Sequence, residues 1–201
     1  MLSLKNSPNS PFGRKVVVAL ALLHMSDKVQ SIKTDTGDAT DSLRLQNPLG
    51  KIPTLILENG EALFDSRVII EYLNEIDGRN LLIPKGMERF PVLRMQALGD
   101  GIMDAAILQV YESRFRPKEM HVEAWLDHQR GKVSRGLSEA EKTLPSNPEK
   151  TPNIGEITLA CALAYLDFRF AGTWQSEHKA LALWAKHFSE RVPLFAASAP
   201  A

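Results

Sequence analysis

Three groups of polar residues in the first third of the chain could take part in chemistry, and each lies beside a proline or a predicted helix start. Ser10 precedes Pro11-Phe12, Lys51 precedes Ile52-Pro53, and Asp65-Ser66 precedes an apolar helical repeat. A hydroxyl at a helix start can stabilise an anion, because the helix dipole and the unpaired amide groups there favour negative charge. These groups therefore indicate a binding site for a ligand with anionic parts.

The turn before Ile52-Pro53 gives the second group its structural setting. Asn47-Pro48-Leu49-Gly50 is a turn signal, and Pro53 stands at the entrance of the apolar run that follows, where a proline does least damage to a sheet. We predict that Ile52-Pro53 is a cis bond in a tight turn. The backbone beside Pro53 would then face outward, and an extended ligand could pair with it.

Each serine also has a purely structural interpretation. The apolar repeat after residue 67 places Asp65-Ser66 at a helix start, where either side chain could serve only as a cap. Ser10, followed by proline at the first helical position, could likewise be an N-cap and nothing else. Ser7 and Asn9 are polar neighbours that could take its place in chemistry.

The elements that must position these residues follow from hydrophobic periodicity. Residues 1–76 predict the order β-α-β-α-β-β-α, whereas strand signals stop at the predicted linker, 77–86. Beyond it the pattern is helical, over 92–108, 125–144, 157–170 and 179–188. We predict a break at 146–152, a capping box formed by Asn153 and Glu156, and a loose tail from Pro193 onward.

Composition narrows the class of protein. Lys+Arg and Asp+Glu both number 24, so the charge balance favours neither nucleic acid nor an anionic membrane as a partner. The apolar run at 16–23 is too short to span a bilayer and lacks a signal-peptide cleavage site, which favours a cytoplasmic location. The single cysteine, Cys161, rules out an internal disulfide framework and a redox pair of cysteines.

The run Asn47-Pro-Leu-Gly-Lys-Ile-Pro-Thr-Leu55, the turn at Asn59-Gly60 and Phe64-Asp-Ser66 before a helix together resemble the glutathione S-transferase superfamily. The segment Ser7-Pro-Asn-Ser-Pro-Phe-Gly13 is similar to the first-helix signature of its bacterial Ser-type branch. The resemblance implies a thioredoxin-like domain at 1–76, a linker at 77–86 and an all-helical domain at 87–201, hence an α/β plus all-α fold. It also implies a homodimer.

The resemblance assigns roles to the residues that match. Ser10 would donate a hydrogen bond to the glutathione sulfur, the backbone of Ile52 before Pro53 would pair with the cysteinyl part, and Asp65-Ser66 would hold the γ-glutamyl end. Lys51 could meet the glycine carboxylate or remain solvated. Glutathione is thus expected as a co-substrate, without a metal, and its thiolate would attack a small apolar electrophile.

Other functions remain open from the sequence. The same fold serves relatives as a non-catalytic glutathione-binding or protein-interaction module, and glutathione-dependent dehalogenase, isomerase and peroxidase activities are enzyme alternatives. Asp100 and Asp104 lie four residues apart and share a helix face. They could be paired carboxylates, metal ligands or ordinary polar positions at the domain boundary. We favour the last, because no His or Cys nearby completes a metal set.

Overall fold

The computed structural model describes residues 1–145 and 150–199, which form four strands and eight α-helices. The strands are β1 (Leu2–Asn6), β2 (Val29–Lys33), β3 (Thr54–Ile56) and β4 (Ala62–Leu63). The helices are α1 (Pro11–Leu22), α2 (Leu43–Gln46), α3 (Ser66–Asp77), α4 (Arg89–Phe115), α5 (Glu123–Lys142), α6 (Ile154–Phe170), α7 (Lys179–Arg191) and α8 (Pro193–Ala197). The predicted element order is confirmed.

The four strands form one mixed sheet in the order β2-β1-β3-β4. β1 runs parallel to β2, β3 runs antiparallel to β1 with Leu4 opposite Leu55, and β4 runs antiparallel to β3. Leu4 and Leu55 are fully buried, and the apolar faces of α1 and α3 belong to the same core. This is the thioredoxin-like arrangement. The starts of α1 and α3 and the turn before β3 all belong to the unit built on this sheet.

The helical part is built around α6, as its apolar sequence predicts. Asn153 accepts from the Glu156 backbone N–H at 3.1 Å, and the Asn153 N–H donates to the Glu156 carboxylate at 3.0 Å, so the predicted capping box is confirmed. α4 packs closely along α6 because Gly99 has no side chain. A Cβ atom at Gly99 would lie 3.1 Å from the backbone carbonyl of Thr158.

The predicted loose tail is wrong. The helix α8 covers Pro193–Ala197, and its Phe195 is buried against α1. The guanidinium of Arg14 donates to the Phe195 carbonyl oxygen at 2.6 Å and lies 3.9 Å from the centre of the Phe195 ring. Sequence reasoning missed α8 because its anchor is more than 180 residues away in the chain.

Several smaller expectations have mixed outcomes. Trp125 keeps 40% of its surface exposed, whereas Trp174 is buried. The break predicted at 146–152 falls partly on residues 146–149, which lie outside the described residues. The domain boundaries at 76 and 86 remain predictions. In the part of the chain that the structure describes, no helix is long and apolar enough to cross a membrane.

Candidate glutathione site

Ser10 is the N-cap of α1, as the sequence predicts. Its hydroxyl oxygen accepts from the Gly13 backbone N–H at 3.1 Å, and Pro11 occupies the first helical position. A hydroxyl has one hydrogen and two lone pairs, so accepting from Gly13 leaves the hydrogen free to donate. Ser10 also lines a narrow crevice that Cys161 and Tyr165 of α6 border from the helical side. The cap and a ligand contact are thus compatible.

The Ile52–Pro53 peptide bond is cis, as predicted. The residues around it are held firmly, because the Asn47 side-chain amide donates to the Lys51 carbonyl oxygen at 2.9 Å and the Thr54 hydroxyl donates to the same oxygen at 3.0 Å. Ile52 itself forms no hydrogen bond to any described residue. A fixed turn just before β3 therefore offers a backbone N–H and C=O that pair with no described residue.

Asp65 and Ser66 stand at the start of α3. Asp65 is its N-cap and accepts from the Arg67 backbone N–H at 2.9 Å through one carboxylate oxygen. Its side chain is 60% exposed, and its other oxygen lies 4.0 Å from the Arg67 Nε atom at the protein surface, while Ser66 is buried as the first helical residue. The capping interpretation of Asp65 is therefore correct, and it leaves part of the carboxylate available.

A buried carboxylate from α4 supports the start of α3. Asp100 is 1% exposed, accepts from the Lys15 ammonium at 2.7 Å and accepts from the Arg67 guanidinium at 3.0 Å. Lys15 belongs to α1 and is fully buried. Asp100 is therefore not an ordinary polar position, because it joins α1, α3 and α4. Hydrophobic periodicity in the sequence does not predict the ion pairs of Asp100 with Lys15 and Arg67.

Asp104, one turn further along α4, lies near several predicted site residues. Partial burial and then the charge of Asp100 raise the pKa of its carboxyl, while the positive charges of Arg67 and Lys51 partly offset this rise. The Lys51 side chain itself is exposed. Charges at Lys51, Asp65 and Arg67 thus all influence the pKa of this carboxyl on α4.

Two further observations bear on the location and type of site. Within the described ranges, no group of three or more His, Cys, Asp or Glu side chains could hold a metal ion. A larger cleft of about 330 Å³ lies in the helical part and is lined by Leu166, Trp174 and His178 among others. None of the predicted site residues lines this cleft, so we place the candidate site at the starts of α1 and α3.

The fold and this arrangement define a class: a thioredoxin-like unit with a cis-proline turn, followed by an all-helical unit. Comparison with protein-family models agrees. Residues 9–76 match the model described as "Glutathione S-transferase, N-terminal domain", and residues 123–187 match "Glutathione S-transferase, C-terminal domain".

Individual relatives make the assignment specific. The GST-like protein YibF of Escherichia coli (strain K12), itself uncharacterised, is 36% identical over 171 residues, covering 84% of this chain and 83% of that protein. Two crystal structures of glutathione transferase family members from Pseudomonas fluorescens Pf-5 cover 100% of both chains, at 41% and 40% identity and TM-scores of 0.92 and 0.88. The first has glutathione bound and the second has S-(propanoic acid)-glutathione. The chain belongs to the glutathione S-transferase superfamily.

Proposed function

We propose that this protein is a glutathione transferase of the Ser-type branch, which binds glutathione and conjugates its thiolate to a small apolar electrophile. The unpaired backbone of Ile52, held beside cis-Pro53, carries the proposal, because it matches what an extended tripeptide needs. Glutathione bound to the similar Pseudomonas fluorescens protein supports the same ligand here. The glutathione is a co-substrate.

Each part of the glutathione tripeptide binds a different predicted residue. The Ile52 N–H and C=O pair with the cysteinyl backbone, and the γ-glutamyl α-carboxylate takes the Ser66 hydroxyl and the free amides at the start of α3. The exposed carboxylate of Asp65 accepts from the γ-glutamyl ammonium group. Lys51 faces the glycine carboxylate.

Ser10 supplies the chemistry. A thiol has a free pKa of about 8.5, so only a small fraction is ionised near neutral pH. Lowering that value by about two units requires roughly 2.7 kcal/mol of preferential stabilisation of the thiolate. One hydrogen bond to the charged sulfur, worth about 1.5–3 kcal/mol, together with the start of α1 can supply this amount.

The experiment is an ultraviolet difference titration of glutathione into the protein across a pH series, which reports binding and thiolate formation together. We expect a saturable thiolate signal with a midpoint well below that of free glutathione. Ser10→Ala should abolish the shift. Ser10→Asp is the matched control for capping: it can still accept from Gly13 but has no hydrogen to donate, so stability should be kept and thiolate formation lost.

The same titration separates the alternatives. Binding without thiolate would contradict a catalytic Ser10 and favour a non-catalytic glutathione-binding module. No binding at all would favour a protein-interaction role. The S-(propanoic acid)-glutathione in the second Pseudomonas fluorescens structure carries a substituent on sulfur, which supports conjugation over these alternatives.

We also propose a homodimer located in the cytoplasm. Exposed apolar side chains near the start of α4 support the dimer, since Met87 is 79% and Phe90 is 55% exposed. Light scattering should give twice the chain mass, and Phe90→Glu should shift it toward the monomer.

A further inference from the structure

The described surface next to Ser10 combines aromatic rings with two arginines. Tyr165 of α6 lines the same crevice as Ser10. The Arg169 guanidinium lies 5.5 Å from the Tyr165 ring centre and 4.2 Å from that of Phe168, and Arg114 of α4 lies 5.6 Å from the Tyr111 ring centre. We call Tyr111, Arg114, Tyr165, Phe168 and Arg169 the aromatic-arginine surface.

This surface is open to solvent where a ligand could cover it. Tyr111 is 41% and Phe168 is 37% exposed, so the two rings offer apolar area. Tyr165, in contrast, is almost completely buried, and burial raises the pKa of its phenol. The positive charges of Arg169 and Arg114 both act to lower that pKa.

Neither arginine is neutralised by a carboxylate in the part of the chain that the structure describes. Among the described residues, no carboxylate forms an ion pair with Arg114 or Arg169, whereas Arg116, two residues further along, is paired with Glu112. The Arg169 Nε–H is also buried without a hydrogen-bond partner in the described residues. A guanidinium that has no carboxylate partner can form charge-assisted hydrogen bonds to a bound anion.

We propose that the second substrate joins an apolar, preferably aromatic, body to a carboxylate or similar anionic group. The body packs on Tyr111 and Phe168, and the anion is held by Arg169 and Arg114. This inference rests on the proposed transferase function, because the reacting carbon must meet a sulfur held at Ser10. Arg169 and Arg114 are thus specificity-determining residues.

The test reaction is a substitution on an activated aryl halide that carries the anionic group. The glutathione thiolate forms a bond to the carbon that carries the halogen, and the halide leaves with the electron pair of the broken bond. The anionic group takes no part in this step. The anionic group positions the aromatic ring. Its presence should therefore change substrate affinity and kcat/KM.

The test uses matched ligands that differ in charge. S-(4-carboxybenzyl)glutathione and S-(4-carbamoylbenzyl)glutathione have nearly the same size, and calorimetry of each gives their affinity ratio. We expect about a tenfold preference for the carboxylate, the size of one charge-assisted hydrogen bond. Turnover of 4-chloro-3-nitrobenzoate and 4-chloro-3-nitrobenzamide, each divided by its uncatalysed rate, should show the same preference.

Variants assign the preference to residues. Arg169→Gln and Arg114→Gln should each lower the ratio toward one, while Arg169→Lys should keep part of it. Arg94→Gln is the control, because Arg94 lies on α4 but is paired with Glu139 of α5. Its ratio should equal that of the wild type.

The outcomes separate the two proposals. Equal affinity for both conjugates, with the glutathione thiolate signal intact, would overturn this inference and leave the transferase function standing. A tenfold preference that survives in both glutamine variants would overturn the assignment to Arg169 and Arg114. A protein that neither ionises glutathione nor binds either conjugate would overturn both proposals.

Discussion

At the scale of single residues, two carboxylates on α4, Asp100 and Asp104, have different surroundings. Asp104 and Asp100 look equivalent in sequence, yet they differ in surroundings. Asp100 is buried between two cations, whereas Asp104 is only partly removed from water and forms no ion pair with a described residue. The two carboxylates should therefore respond differently to pH and to substitution.

Asp104 should make the protein less stable as pH rises. Because the pKa of Asp104 is raised by partial burial and by Asp100, the folded chain binds more protons than the unfolded chain just above the ordinary carboxyl pKa. The free energy of unfolding then falls as pH rises through the raised pKa. Asp104→Asn removes this effect, so urea unfolding should show the variant gaining stability relative to wild type from pH 4 to pH 7. A relative gain that shrinks over this range would contradict the prediction.

At the scale of elements, α8 shows how a short helix is kept in place. It has five residues, too few to be stable alone, so its order comes from contacts. The Phe195 and Phe188 rings form an edge-to-face contact with centroids 5.2 Å apart, and the Arg14 guanidinium lies 3.9 Å from the centre of the Phe195 ring. α8 therefore fastens the end of the described chain to the helix that carries Ser10.

Phe195→Ala should cost about 3 kcal/mol or more in the free energy of unfolding, because it removes a buried aromatic side chain and leaves a cavity. Leu194→Ala is the matched control, since Leu194 is 53% exposed and in the same helix. It should change stability by less than about 0.5 kcal/mol. Urea unfolding at one pH measures both. Similar losses in the two variants would mean that α8 contributes no specific packing.

At the scale of the whole molecule, one buried ion pair connects the thioredoxin-like part to the helical part. Lys15 lies on α1 and Asp100 lies on α4, and both are removed from water almost completely. Such a pair contributes little net stability compared with apolar residues, but breaking it leaves one uncompensated charge in the interior. The two parts should therefore unfold together while the pair is intact.

Asp100→Asn should destabilise the protein by about 3–5 kcal/mol, since it strands the Lys15 charge in the core. It should also weaken glutathione binding, because Arg67 beside Asp65 loses its anchor. The double variant Lys15→Met, Asp100→Leu should recover most of the stability but not the binding. Urea unfolding and calorimetry with glutathione separate the effects. Full stability in Asp100→Asn would show that water or another group already compensates Lys15.

The sequence alone determined the features that depend on neighbours in the chain. The cap at Ser10, the cis bond before Pro53, the cap at Asp65 and the capping box of α6 each require only a few consecutive residues. The order of strands and helices also followed from local periodicity. Local steric and hydrogen-bonding preferences are sufficient to specify such features.

Only the tertiary structure decided which distant residues meet. Asp100 looked like a polar position on a helix, and packing made it a buried partner of Lys15 and Arg67. The tail was predicted to be loose, but the contact of Arg14 with Phe195 holds it in place. The contact of Arg169 with Tyr165 likewise forms only in the folded chain. The physical reason is that burial, ion pairing and pKa depend on chain segments that folding brings together, and sequence spacing carries no record of those contacts.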